Sequence, residues 1–291
     1  MKPNINKAKF RKALSLKNGV LSIVLSFAAA SILQAEGENI EPSTLNADKI
    51  IAKVNARPEG EHVIRNFSIE LRDKNGRTRR EETIAHRRYF TNDKGEQEKR
   101  TIIFYTEPSR VRGTGFLTYD YASPNRDDDQ WLYLPALRKV RRISASDRGD
   151  YFLGTDFTYE EIKKEQKIEA SDYHFELLGE KEIDGRQLLV VEGLPAKPQI
   201  AEELGISKAI WHIDPSIWMS RLSEFYDQNG NHSRTMQLEA VEEIDGYLSS
   251  KQIIISNHKT GHSSRIRFSN IDYASPVPQK LFTQARLRRG L

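Results

Sequence analysis

From His62 onward, hydrophobic and polar residues alternate. Val63, Phe67, Ile69 and Leu71 fall on one parity, and His62, Asn66, Ser68, Glu70 and Arg72 on the other. A period of two places successive side chains on opposite faces, so this stretch reads as a strand with one buried face. Similar runs, rich in β-branched and aromatic residues, continue to Phe268. They are separated by Asn75-Gly76, Asp93-Lys94-Gly95, Asp184-Gly185, Asn229-Gly230, Asp245-Gly246 and Thr260-Gly261. Such pairs connect neighbouring antiparallel strands. The pattern predicts strands at 62–72, 77–91, 97–105, 115–121, 130–134, 139–143, 171–178, 186–192, 209–213, 220–226, 233–241, 247–257 and 262–268. A meander of that many strands is too wide to stay flat, so the sheet must curl or close.

Ahead of the strands, Leu45, Ile50, Ile51 and Val54 recur at helical spacing, and Pro58-Glu59-Gly60 ends that pattern. This helix is expected to pack on the sheet; a lid over a cavity would show the same periodicity. At the start of the chain, six basic residues (Lys2, Lys7, Lys9, Arg11, Lys12, Lys17) and no acid precede an apolar run at 20–33 and then Gln34-Ala35. Residues 1–35 therefore read as a cleaved export signal. As a helix the apolar run would reach roughly 21 Å, short of a hydrocarbon core of about 30 Å. No fixed-period repeat or low-complexity linker divides the remainder, so 36–291 is expected to be a single domain.

Loss of the leader changes the charge. The full chain has a formal charge of +4 and a pI near 9.0. Without 1–35 it keeps 39 basic residues against 41 acidic ones, a net charge near −2. A nucleic-acid partner loses its electrostatic basis. With no cysteine the chain has no disulfide and no thiol for a lipid anchor, so the expected product of export is soluble. A membrane β-barrel fits poorly. The 77–91 strand carries Arg77, Arg79, Arg80, Glu81, Glu82, Arg87 and Arg88 on both parities. Either face would place basic residues in lipid at about 2–4 kcal/mol each.

Enzyme signatures are absent. The sequence has no GxxxxGK[ST], no GxGxxG after a strand, no HExxH and no GxSxG. His258 and His262 flank a predicted turn without a third ligand, and Asp127-Asp128-Asp129 lacks the spacing of a calcium loop. Asp156 with Glu160 or Glu161 reads better as an N-cap and early acids of a short helix than as an acid/base pair. No cofactor, metal or catalytic residue is expected. The aromatic residues Trp131, Tyr133, Phe152, Trp211, Trp218, Phe225 and Phe268 suit either a packed core or a cavity wall, because both give the same alternation.

One region has a more specific signature. It runs through Gln130-Trp131-Leu132-Tyr133-Leu134-Pro135-Ala136, Arg141-Arg142-Ile143 and Phe152-Leu153-Gly154-Thr155-Asp156-Phe157-Thr158-Tyr159-Glu160-Glu161-Ile162. Weaker flanking blocks are Ala56-Arg57-Pro58-Glu59-Gly60, Pro108-Ser109-Arg110-Val111-Arg112-Gly113-Thr114-Gly115-Phe116-Leu117, Phe225-Tyr226-Asp227 and Phe282-Thr283. This pattern resembles the LolA-like outer-membrane lipoprotein-sorting family, in its exporter-associated branch.

The resemblance implies a mainly β fold with some α: a curved antiparallel sheet, an incomplete β-barrel, covering helices and enclosing an apolar cavity. It implies a non-enzymatic periplasmic carrier of lipid or lipoprotein acyl chains, with an inner-membrane transporter or exporter and an outer-membrane acceptor as partners. A monomer is expected. The alternative is a periplasmic accessory or adaptor protein of an inner-membrane RND-type exporter. Candidate cavity residues on this basis are Phe104, Trp131, Tyr133, Leu134, Phe152, Phe157, Tyr159, Trp211 and Phe225, and candidate docking residues are Arg138, Arg141 and Arg142. Such a carrier is useful because each buried CH₂ holds a chain in the membrane by about 0.8 kcal/mol.

Overall fold

The computed structural model describes residues 46–92, 95–121, 123 and 126–290. The predicted leader and Leu45 lie outside the described residues, which all belong to one compact unit, 41–291. Helix α1 (Ala47–Ala56) starts at Asn46, whose side chain accepts from the Lys49 amide at 2.9 Å, and it buries Ile50, Ile51 and Val54.

The strands follow in sequence. They are β1 (His62–Arg72), β2 (Thr78–Thr91), β3 (Gln97–Glu107), β4 (Gly115–Asp120), β5 (Asp129–Leu134) and β6 (Lys139–Ile143). After helix α2 (Tyr159–Lys164) come β7 (Tyr173–Ile183) and β8 (Arg186–Pro195), then helix α3 (Pro198–Leu204). The set is completed by β9 (Lys208–Asp214), β10 (Met219–Tyr226), β11 (His232–Ile244), β12 (Tyr247–Asn257), β13 (His262–Asp272) and helix α4 (Gln284–Arg289).

All thirteen strands form one antiparallel sheet in the order β6-β5-β4-β3-β2-β1-β13-β12-β11-β10-β9-β8-β7. The first and last strands pair with each other in mid-sheet, Ile69 opposite Ile266. From that seam the meander runs outward in both directions, leaving β6 and β7 as unpaired edges. The sheet is curved and unclosed, the incomplete barrel that the sequence predicts.

Its inner face carries a continuous apolar row, in which Ile69, Ile266 and Ile253 lie side by side. Toward β7 the row includes Val191, Trp211 and Ile213, and α1 covers them with Ile50, Ile51 and Val54. Burial of such a side chain contributes about 1.5–3 kcal/mol, so α1 is held by its apolar stripe more than by its helix propensity. The outer face is also covered over β3 and β4, where Ile102, Phe104 and Leu117 pack against Val277, Phe282 and Leu287. That explains why Ile102-Ile103-Phe104-Tyr105 runs apolar without alternation: both faces are buried there. At Gly115 an added Cβ would lie 2.7 Å from Leu287 and 2.9 Å from Phe104, so only glycine lets α4 pack this close.

Candidate functional site

Because β6 and β7 are consecutive in sequence but lie at opposite edges, the connection between them, 144–172, has to cross the mouth of the curved sheet. It begins with a tight hairpin closed by a Tyr151–Thr158 bridge and by the Phe152 amide donating to the Phe157 carbonyl at 2.7 Å. The turn needs a left-handed backbone at Leu153 (φ 48°) and Gly154 (φ 80°). It presents Phe152, Phe157 and Tyr159 to the inner face, all buried. The Phe152 ring lies 5.0 Å from Phe116 and 5.4 Å from Tyr159, edge-on to both, a favourable aromatic geometry.

Helix α2 follows. Its N-cap is Thr158 rather than Asp156, because Thr158 and Glu161 form a reciprocal capping box at 3.1 and 2.8 Å. Asp156 instead accepts a bond from the Ser264 hydroxyl on β13 at 2.7 Å, so neither the predicted cap nor an acid/base role describes it.

Ion pairs fasten this crossover to the sheet. Arg234 of β11 donates to Glu161 at 2.9 Å and to the Asp156 carbonyl at 3.0 Å. Arg65 of β1 meets Glu165 at 2.6 Å, Lys164 meets Asp120 of β4 at 2.7 Å, and Lys163 meets Asp128. Asn55 of α1 exchanges two bonds with Ile168, at 2.7 and 3.0 Å, tying the two inner covers together. Beside them lies a buried cluster in which Glu59 accepts from Arg87 at 3.0 Å and from the Tyr89 hydroxyl at 2.7 Å.

These surroundings set the titration of the cluster. Burial alone would push the Glu59 carboxyl up, but Lys99 and Arg87 hold it down at about 2. Asp120 is likewise opposed by burial and brought to about 2 by Lys99 and Lys164. A carboxyl held low in the folded state binds fewer protons than in the unfolded chain, so it stabilises the fold above its unfolded pKa. That stability is present above about pH 4.5 and is lost as pH falls toward 2. Urea midpoints at pH 7, 4 and 3 are expected to drop in that order, and a flat profile would contradict the ion-pair assignment.

Between the crossover and the sheet an apolar void of about 50 Å³ remains, lined by Phe67, Ile103, Ile162, Ile253 and Phe268. A second void of about 70 Å³ lies beside it, against Trp211, Phe225 and Met236. Even pockets for small-molecule ligands hold about 300–1,000 Å³. The expected hollow is therefore filled in large part by the chain itself, by residues 151–168 packed against the inner face.

Comparison with known proteins agrees with this architecture. A family model described as "-like: Uncharacterized protein" matches residues 97–289. A solved domain from Vibrio parahaemolyticus, described as an outer-membrane lipoprotein-sorting protein domain, is 25% identical. It covers 84% of this chain and 98% of its own, with a TM-score of 0.73. A DUF1329 family protein from Desulfovibrio piger ATCC 29098 is 22% identical and covers 82% of this chain and 97% of its own, at TM-score 0.74. A LolA superfamily protein from Nitrosomonas europaea shares the fold at TM-score 0.58 and 21% identity, covering 82% of this chain and 98% of its own.

The chain belongs to the family whose model matches residues 97–289, and its fold is LolA-like. No curated protein matched it in sequence.

In this LolA-like protein the predicted cavity residues separate into groups. Phe152, Phe157 and Tyr159 are in the crossover, Leu134 packs against the same core, and Trp211 and Phe225 are under α1. Phe104, Trp131 and Tyr133 are on the opposite face, in the cluster covered by Val277 and Phe282, and cannot line the interior. Their strand parity was visible in the sequence, but which parity curls inward was not. Arg141 and Arg142 are exposed and paired with Asp147 and Asp129 at 3.2 and 2.6 Å. Arg138 lies in the turn before β6 with φ 49°.

His258 meets His232 across strands, ring centroids 4.6 Å apart, and not His262. Among the described residues no group of three His, Asp or Glu could hold a metal. Sequence reasoning missed Glu59, Arg65, Arg87, Asp120 and Arg234. A signal existed: Lys99 shares its strand parity with the buried Thr101, Ile103 and Tyr105, an unusual place for a cation.

Proposed function

We propose that this LolA-like protein is a non-enzymatic periplasmic carrier that takes lipid or lipoprotein acyl chains onto its inner face and passes them between membrane partners. The observation that carries this reading is the apolar void beneath α2, roofed by a segment that ion pairs hold to the sheet. The reading requires the roof to move. Residues 151–168 occupy in the closed form the space an acyl chain takes in the open one, and each CH₂ placed there recovers about 0.8 kcal/mol. An inner-membrane transporter or exporter supplies the cargo and an outer-membrane acceptor receives it.

Affinity for a guest is reduced by the fraction of molecules that are closed, so loosening the roof should strengthen uptake. The double variant Arg65→Met with Glu165→Gln removes one fastener without leaving a buried charge. It is expected to bind a fluorescent fatty acid severalfold more tightly than the parent. Native mass spectrometry of detergent-free protein should show bound lipid. Absence of lipid, together with no uptake by either form, would overturn the carrier reading.

The exporter-adaptor alternative draws on a different feature, the exposed Arg138, Lys139, Arg141 and Arg142 at the unpaired β6 edge. Cations on an open edge also block unwanted strand addition, and for that reason the carrier reading stands first.

A further inference from the structure

At the end of the sheet that carries the β3–β4 and β5–β6 turns, a groove of about 420 Å³ opens to solvent. It is several times larger than the void under α2 and lies within the size range of small-molecule sites. Leu134, Leu137 and Leu153 supply its apolar wall. Leu137 is 62% exposed, the most exposed of the large hydrophobic residues among those described, and with Leu134 and Leu153 it forms a contiguous apolar wall rather than an isolated exposed side chain.

The polar side of the groove is cationic. Arg79, Arg110 and Arg112 line it with a single carboxylate, Glu81. Glu81 is taken up by Arg110 at 2.8 Å and Arg79 at 3.8 Å, and Arg112 has no carboxylate partner among the described residues, donating instead to the Thr106 carbonyl at 3.0 Å. Both Arg79 and Arg110 leave half of the side chain exposed. Tyr105 also lines the groove. It is 2% exposed, and its hydroxyl is buried with no hydrogen-bond partner among the described residues. A buried hydroxyl left without a partner is unfavourable, and an acceptor bound in the groove would satisfy it.

We propose that this groove binds a fatty-acid carboxylate, with the alkyl chain along Leu134, Leu137 and Leu153 and the anionic end met by Arg79, Arg112 and the Tyr105 hydroxyl. The charge excess around an apolar wall selects an anionic amphiphile over a neutral one. The proposal goes beyond the carrier reading, because the groove lies at the turn end of the sheet and already has the volume for an alkyl chain without movement of the crossover.

Titration calorimetry with dodecanoate, dodecanol and inorganic phosphate tests it. Dodecanoate should bind at least about tenfold more tightly than dodecanol, the factor expected of one charge-assisted contact. Inorganic phosphate, which has no chain, should not compete. The double variant Arg79→Gln with Arg112→Gln should lower dodecanoate affinity about tenfold and leave dodecanol unchanged.

Tyr105→Phe should weaken dodecanoate several-fold without lowering the thermal midpoint of the free protein, because the hydroxyl it removes is unpaired. A purely structural tyrosine would do the reverse. Leu137→Glu, at an exposed position that folding does not require, should abolish dodecanoate binding at the groove. It should spare uptake of a neutral fluorescent lipid by the interior, so failure of this proposal is separable from failure of the carrier reading. Equal affinity for the two amphiphiles, effective competition by phosphate, or a destabilised Tyr105→Phe variant would each overturn it.

Discussion

Arg87→Ala is expected to destabilise the protein by about 3–5 kcal/mol, the usual effect of removing one partner from a buried ion pair. Arg87 is 2% exposed and reaches Glu59 with one guanidinium nitrogen at 3.0 Å, while the other donates to the Glu59 carbonyl. Once the guanidinium is gone, the Glu59 carboxylate keeps the Tyr89 hydroxyl at 2.7 Å and Arg57 at 3.3 Å, but its best-buried cation is lost. The harm comes mainly from the charge left behind. The paired change Glu59→Gln with Arg87→Met should therefore recover most of the loss, since replacing both members of a buried pair is often near neutral. Urea unfolding of the two variants measures the difference. A loss below about 1 kcal/mol for Arg87→Ala would show that water reaches this cluster.

Phe152→Ala is expected to lower stability by about 3–5 kcal/mol, as large-to-small changes of a fully buried aromatic do. Its ring is fully buried and packs on Phe116, Tyr159 and Tyr105 at centroid distances of 5.0, 5.4 and 6.5 Å. The same change loosens the crossover and enlarges the inner void, so uptake of a fluorescent fatty acid should rise even as the urea midpoint falls. Phe104→Ala provides the control. It should destabilise by a similar amount and leave uptake unaltered, because Phe104 packs on the outer face with Phe282 and Leu287. Equal uptake by the two variants would separate the crossover from ligand entry.

These two residues also show where sequence reading stops. The pattern of β3 places Phe104 and Tyr105 on opposite faces, which is correct, but it does not say which face curls inward. Residue-level alternation was informative because strand geometry is local and each turn carries its own glycine or asparagine. The strands at 62–72, 139–143 and 247–257 appear with the predicted bounds for that reason. The buried charges were less legible because the partners are remote: Arg87 and Glu59 are 28 residues apart, and Arg234 and Glu161 are 73 apart.

By itself the sequence determined the antiparallel strands, their turns, the amphipathic first helix and membership of a lipoprotein-sorting-like fold. Periodicity and turn chemistry act over a few residues, and the chain obeys them almost everywhere. Only the tertiary structure decided that β6 and β7 end at opposite edges. That placement sends the aromatic crossover through the interior. Curvature and strand order are properties of the whole sheet, so whether an apolar side chain fills the interior or faces outward depends on contacts that no local pattern specifies.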